Sequence, residues 1–270
     1  MSQPPLFALS PMIKRLLQAS IPAKLRPVGY LTNLVQRRTG FRINGGVFQG
    51  MAYIQRSTGS AYIPKLLGVY EEEIATAVED LIAFGPSVIA DIGAAEGYYA
   101  VGLSLRCPHT RVLAFEAEAS GRLLLQQMAR LNEVSERVAI GGFCTPALLQ
   151  ESLPEAARIG VVCDAEGYER DLLDPIVVPQ LRRAFIIVET HEFITRGICA
   201  EVKGRFSHTH TITEVHSRER EVDAFPYRTW FSACLPKHYL RWAMSEWRPE
   251  QMSWLIMKPN DPDQESGRAN

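Results

Sequence analysis

What the chain lacks narrows it first. Its 270 residues hold five cysteines, Cys107, Cys144, Cys163, Cys199 and Cys234, an odd number at wide spacing with no CxxC. That excludes a disulfide framework and a zinc-finger pattern, and it fits a reducing compartment. No apolar run approaches the ~20 residues that span a bilayer. The opening MSQPPLFALSPMIKRLL has no basic stretch ahead of an apolar one, and no small-residue cleavage pattern follows. A cytoplasmic protein with no membrane partner is therefore expected. Neither sign of charge dominates: 29 Lys and Arg stand against 30 Asp and Glu, a net charge of -1. The basic excess of a dedicated nucleic-acid binder is missing, so no nucleic-acid partner is expected. Internal repeats and low-complexity blocks are absent. Hydrophobic residues at 46% and charged residues at 22% exclude wholesale disorder and a coiled coil.

What is present changes character near residue 80. Before it, segments are short and broken by Pro and Gly. Residues 6–19 and 30–38 read as helices, and FRINGGVFQGMAYI (41–54) reads as a hairpin around Asn44-Gly45-Gly46. A helix is expected from about Tyr70, with Ile74, Val78, Leu81 and Ile82 at helical spacing and three glutamates in its first turn. From residue 87 strands alternate with helices. SVIADIG, RVLAFEAE (111–118), RVAIGGF (137–143), GVVCDAEG (160–167) and AFIIVETHE (184–192) are five strands; HTITEVHS (210–217) and MSWLIMK (252–258) are two more. Alternation of this kind implies βαβ units and a mostly parallel, Rossmann-like sheet of seven strands with helices on both faces. The expected division is an N-terminal helix and hairpin extension (1–65), one α/β domain (66–259) and a disordered polar tail (260–270).

The strongest motif is Asp91-Ile92-Gly93-Ala94-Ala95-Glu96-Gly97, between the first strand and its helix. Such a turn lets a ligand approach bare backbone. A dinucleotide pyrophosphate wants GxGxxG, and this loop is not that. An acid two positions before the first glycine is awkward for a pyrophosphate. It suits a ligand with an ammonium and a sulfonium group, as in S-adenosylmethionine (SAM). Glu116, 25 residues beyond Asp91 at the end of the second strand, stands where an acid binds ribose hydroxyls.

DIGAAEG resembles motif I of class I SAM-dependent methyltransferases. VVCDAEGYERDLL (161–173) is similar to the D-x-E-G-x-E segment of FkbM-like methyltransferases, and VETHE (188–192) to the E-x-H one strand later in that family. The resemblance covers roughly 66–192. It implies a SAM-dependent methyltransferase, with a hydroxyl acceptor on a saccharide or small natural product. Matched by motif, Asp91, Gly93, Ala94 and Gly97 fall in the cofactor loop and Glu116 is the ribose-binding acid. Asp164, Glu166, Glu189 and His191 match the acids and histidine of a second site.

The residues support that second site independently. Asp164 and Glu166 close strand four, and Glu189 and His191 close strand five. Residues i and i+2 of an extended chain point the same way. Ligands of open α/β sheets sit beyond the carboxyl ends of the strands. The four groups should converge if strands one, four and five are neighbours. Two roles stay open: His191 or Asp164 as a general base, with Glu166 beside them, or Asp164, Glu189 and His191 as ligands of Mg²⁺ or Mn²⁺. The structural alternative is that Glu166 and Glu189 cap helices or pair with Arg170, Arg182 or Arg183. Glu71 could hold the cofactor's amino group, and Phe143 either stacks on its adenine or is core. His208 and His210 read as solvated strand positions. Lys203, Arg205, Arg218, Arg220 and Arg228 read as a basic face. The four tryptophans of the last quarter read as core or as a stacking wall. The rivals are a non-catalytic protein of the same fold and an NAD-dependent oxidoreductase; homo-oligomerisation stays open.

Overall fold

The computed structural model describes residues 27–55, 57 and 61–260. The expected helix at 6–19 and the tail beyond residue 260 lie outside them. Seven strands form one sheet: β1 Val88–Ile92, β2 Arg111–Phe115, β3 Val138–Gly141, β4 Ile159–Cys163, β5 Phe185–Thr190, β6 His210–His216 and β7 Ser253–Pro259. Their order is β3-β2-β1-β4-β5-β7-β6. The first five are parallel, and β7 lies antiparallel between β5 and β6.

Side-chain alternation along the strands sorts the core into two layers. Ile89, Val112, Ala114, Val162, Phe185, Ile187, Trp254 and Ile256 face one cluster. Ala90, Ile92, Leu113, Val161, Cys163, Ile186, Val188 and Leu255 face the other. Helices α1 Pro27–Thr39, α2 Tyr62–Leu67, α3 Ala75–Phe84, α4 Tyr98–Arg106 and α5 Ala119–Leu131 bury their apolar stripes in the first. α6 Pro146–Ser152, α7 Glu169–Leu172 and α8 Ile198–Phe206 contribute to the second. The stripes follow helical spacing, as with Leu125, Met128 and Ala129 on α5, or Ile198, Val202 and Phe206 on α8. α9 Trp230–Cys234 and α10 Lys237–Met244 precede β7, and Leu240, Ala243 and Met244 of α10 return to the first cluster. Residues 27–54 are integral to this core: Leu31, Val35, Ile43, Phe48 and Tyr53 are buried in it.

Three expectations are corrected. Residues 41–54 are not a hairpin of strands but a loop of turns, joined by a single antiparallel bridge between Arg42 and Ala52. Ile43 and Met51 carry their apolar side chains into the core from turns, and the two sides never run as a ladder. The helix expected from Tyr70 starts at Ala75. Glu72–Ile74 form a 3₁₀ turn, and Glu71 before it has left-handed backbone (φ 48°). Strand four stops at Cys163, so Asp164 and Glu166 stand in a turn, with Glu166 at φ 50° and Gly167 at φ 97°. No helix among the described residues is long and apolar enough to cross a membrane.

Candidate functional site

At the carboxyl end of β1 the chain turns sharply into α4. The amides of Gly93 and Ala94 both donate to the Phe115 carbonyl at the end of β2, and the Asp164 amide donates to the Ile92 carbonyl. Gly93 sits at φ 82°, and a Cβ there would lie 1.8 Å from the Asp164 carbonyl oxygen. Gly97, at φ 94°, caps α4, and its Cβ would lie 2.3 Å from Leu125. Both glycines are thus required by backbone geometry and close packing. Asp91 is 2% exposed, and its Oδ2 has no hydrogen-bond partner among the described residues. Burial pushes its carboxyl up to about 7; an amide at Ala100 opposes this, and Asp164 and Glu116 reinforce it. A buried acceptor without a donor is costly. This one fits a cationic ligand group at the turn.

Glu116 follows β2. Its Oε2 accepts from the Ala95 amide at 2.7 Å and its Oε1 from the Glu118 amide at 2.7 Å. Each carboxylate oxygen keeps a second lone pair for a hydroxyl. Phe143 is 56% exposed, with its ring 5.1 Å from that of Tyr168, so it is not a core residue. Glu71 is buried. It receives the Tyr99 hydroxyl and, at 2.8 Å, Nη2 of Arg248.

Asp164, Glu166, Glu189 and His191 meet at one cavity beyond β1, β4 and β5, walled by Tyr70 and Trp247. His191 is buried and oriented from behind: Nδ1 lies 2.7 Å from Oε1 of Glu169. Glu169 is itself fully buried, and the same oxygen accepts from the Ala165 and Gly167 amides. Nε2 of His191 faces Asp164 Oδ1 at 3.4 Å and Glu166 Oε2 at 3.7 Å. Burial pulls the imidazole pKa down. The Glu169 hydrogen bond and the charges of Asp164, Glu169 and Glu189 outweigh it, to about 9. Asp164 is raised to about 7, chiefly by loss of water around its carboxyl. Its Oδ1 and the Oε2 of Glu169 have no hydrogen-bond partner among the described residues.

Glu189 takes a different part from the one expected. Burial raises its carboxyl, yet Arg248 sits on it through Nη1. Arg248 also binds Glu71 and, at 3.1 Å, Glu246, while its guanidinium lies 4.5 Å from the Trp254 ring. Among the described residues, the three side chains that offer ligand atoms within 4.8 Å of one another are Asp164, Glu169 and His191. Glu169, not Glu189, completes that set. Neither Glu166 nor Glu189 pairs with Arg170, which binds Glu201.

The remaining expectations resolve as follows. His210 is buried, not solvated, with Nε2 2.8 Å from the Ala184 carbonyl, and burial lowers its pKa. The basic face is largely paired: Lys203 with Glu214, Arg205 with Glu201, Arg228 with Asp223, and Arg220 with Glu73 and Glu246. Trp254 is core, while Trp247 is exposed at the cavity. Cys163 is core, and all five cysteines are free thiols. Sequence reasoning missed two residues of the site. Glu169 closes the D-x-E-G-x-E segment, so a local signal existed. Arg248 had none, because it reaches Glu189 from a loop 59 positions away.

No family model matches the chain, and no curated protein matches its sequence. Solved structures resemble it at low identity. An O-methyltransferase from Bacillus cereus in complex with SAH is 10% identical, over 94% of this chain and 100% of that chain, with a TM-score of 0.46. The O-methyltransferase TomG from Streptomyces achromogenes, involved in tomaymycin synthesis and solved with SAM, is 12% identical over 92% and 96%, TM-score 0.46. A precorrin-6y C5,15-methyltransferase from Geobacter metallireducens is 13% identical over 70% and 89%, TM-score 0.47. The likeness is one of chain trace and carries no residue of the site with it.

Proposed function

We propose that this chain is a SAM-dependent methyltransferase of the FkbM-like kind, transferring a methyl group to a hydroxyl of a saccharide or small natural product. The observation that carries the reading is Asp91: a buried carboxylate with an unpartnered oxygen, beside a glycine turn at the carboxyl end of β1. A second acid, Glu116, is tied to that turn, and a histidine braced by Glu169 stands at the next strand ends.

When bound, SAM supplies a sulfonium methyl group to be taken by in-line displacement. The chain's own residues divide the rest. Asp91 holds positive charge, Glu116 offers lone pairs to ribose hydroxyls, and Phe143 offers an exposed ring face. Glu71, held by Arg248 and the Tyr99 hydroxyl, would hold the cofactor's amino group. His191 presents Nε2 to the cavity, where with Asp164 and Glu166 it can accept the acceptor hydroxyl's proton once its own is lost. Holding the partners aligned supplies most of the acceleration, and a positioned base adds about 10²–10⁴-fold.

A second reading concerns Mg²⁺ or Mn²⁺. One carboxylate oxygen each of Asp164 and Glu169 and an imidazole nitrogen of His191 lie within 4.8 Å of one another, a set that suits a hard divalent ion, which would lower the acceptor's pKa. Calorimetric titration of the purified protein with S-adenosylhomocysteine (SAH), with and without Mg²⁺, tests both. Micromolar binding that is lost in Asp91→Ala supports the cofactor assignment. A Mg²⁺ dependence lost in Asp164→Ala supports the ion. No binding under either condition removes the methyltransferase reading and favours a non-catalytic protein.

A further inference from the structure

One buried charged group lies inside the Asp91–Gly97 turn and takes no part in the chemistry above. Glu96 is fully buried, between the left-handed Ala95 (φ 47°) and Gly97. Its Oε1 accepts from Nζ of Lys65 at 2.7 Å and from the hydroxyl of Tyr53 at 2.5 Å. All three residues are almost wholly buried, Lys65 at 3% exposure and Tyr53 at 1%. Lys65 lies on α2 and Tyr53 in the loop before it, so both donors come from chain that precedes the sheet. The Lys65 ammonium also lies 4.7 Å from the Tyr70 ring and 5.3 Å from the Tyr98 ring.

A turn can be made without a buried ion pair; glycines and backbone hydrogen bonds suffice. Taking a carboxylate and an ammonium out of water is expensive, and an apolar pair of similar volume is often as stable or more so. The pair's distinctive effect is to fix a position. It ties the turn that follows Asp91 to α2 and to the loop before it, through the hydrogen bonds from Lys65 and Tyr53. On the far side the Ala95 amide is held by Glu116. The turn is thus gripped from both flanks, one grip from β2 and one from the N-terminal segment.

We propose that Lys65 and Tyr53 are positioning residues for the cofactor, acting through Glu96, so that both belong to the cofactor site although neither needs to touch the ligand. The inference rests on the SAM reading of the turn. It assigns a role in binding to a segment that sequence analysis treats as an appendage.

The test uses the full chain, with SAH as probe. Lys65→Met leaves Glu96 with one donor fewer; Lys65→Met combined with Glu96→Gln removes both charges. Leu31→Ala, a core truncation on α1, is the control for plain loss of stability. Affinity by calorimetry and melting temperature are measured for each, and amide hydrogen exchange at Ala95–Gly97 is followed without ligand. Expected is SAH binding weaker by about tenfold or more in Lys65→Met and in the double variant, with faster exchange at the turn. Leu31→Ala should melt lower with wild-type affinity. The double variant keeps the test open should Lys65→Met fail to fold. Unchanged affinity and exchange in either variant, against a wild type that binds SAH, overturn the inference alone. A wild type that does not bind SAH overturns it together with the cofactor reading.

Discussion

At His191 two opposing effects meet, and their balance sets the protonation state of the cavity. Burial favours the neutral ring; the acids Glu169, Asp164 and Glu189 favour the cation and prevail, to about 9. Near neutrality the ring is therefore an imidazolium, and its base form grows as pH rises toward 9. Relative to an unfolded value near 6.5, the interaction contributes stability below that pH and loses it as pH rises through about 9. We expect the ring protons of His191, followed by NMR in the metal-free protein, to titrate near 9, and Glu169→Gln to move the midpoint downward. A wild-type midpoint near 6.5 would remove the imidazolium from the mechanism. At Asp91 the sign runs the other way for binding. The carboxyl, raised to about 7, ionises across neutrality, and only the ionised form attracts an ammonium. SAH affinity should rise between pH 6 and 8 in the wild type and stay flat and weak in Asp91→Asn. Asp91, Glu116 and His191 were legible because their signals are local: a strand end, a glycine turn, fixed spacing. Glu169 carries a local signal too, as the last acid of D-x-E-G-x-E, but its place behind the ring does not follow from that signal. It sits on a short helix, and only the turn at Glu166 and Gly167 brings it behind the imidazole.

Among the elements, the glycines separate those that shape the turn from those that merely occupy it. At Gly93 a methyl group would meet the Asp164 carbonyl at 1.8 Å with φ at 82°, so Gly93→Ala should cost more than about 3 kcal/mol and abolish SAH binding. Gly204 in α8 has open space around its missing Cβ and helical backbone, so Gly204→Ala should stabilise by about 0.5–1 kcal/mol. Chemical denaturation of the two variants checks both signs; equal effects would contradict the steric account. The same local physics explains which elements could be read from sequence. Strands buried on both faces announce themselves as β-branched runs, and α5 by its apolar spacing. Residues 41–54 carry strand-like alternation for another reason: successive turns drop Ile43, Phe48 and Met51 into the core. Periodicity cannot tell these cases apart, since it records burial and not hydrogen bonding. The ends of β4 and β5 were placed too far along for a related reason, as acids continued the apparent alternation after the ladder had stopped.

At the scale of the whole molecule, the segment between β6 and α9 and the loop after α10 are held together by charge. Arg220 binds Glu73 at 2.6 Å and Glu246 at 2.8 Å, with all three side chains less than a tenth exposed. Glu246 in turn meets Arg248, which reaches Glu71 and Glu189 at the cavity. One network thus joins the turn before α3, the end of β5 and the segment that walls the cavity at His191. Its pairings span 147 and 177 positions of sequence, which is why no local pattern reveals them. Removing one partner of a buried pair leaves an uncompensated charge, at about 3–5 kcal/mol. Arg220→Met should therefore lower the melting temperature by about 10 °C for a chain of this size. Glu73→Gln added to Arg220→Met removes one of the stranded carboxylates and should recover part of the loss. A double variant that melts below Arg220→Met would mean that Glu73 is held by something other than this charge pair. Recovery would identify the network as the tie between the wall of the His191 cavity and the sheet.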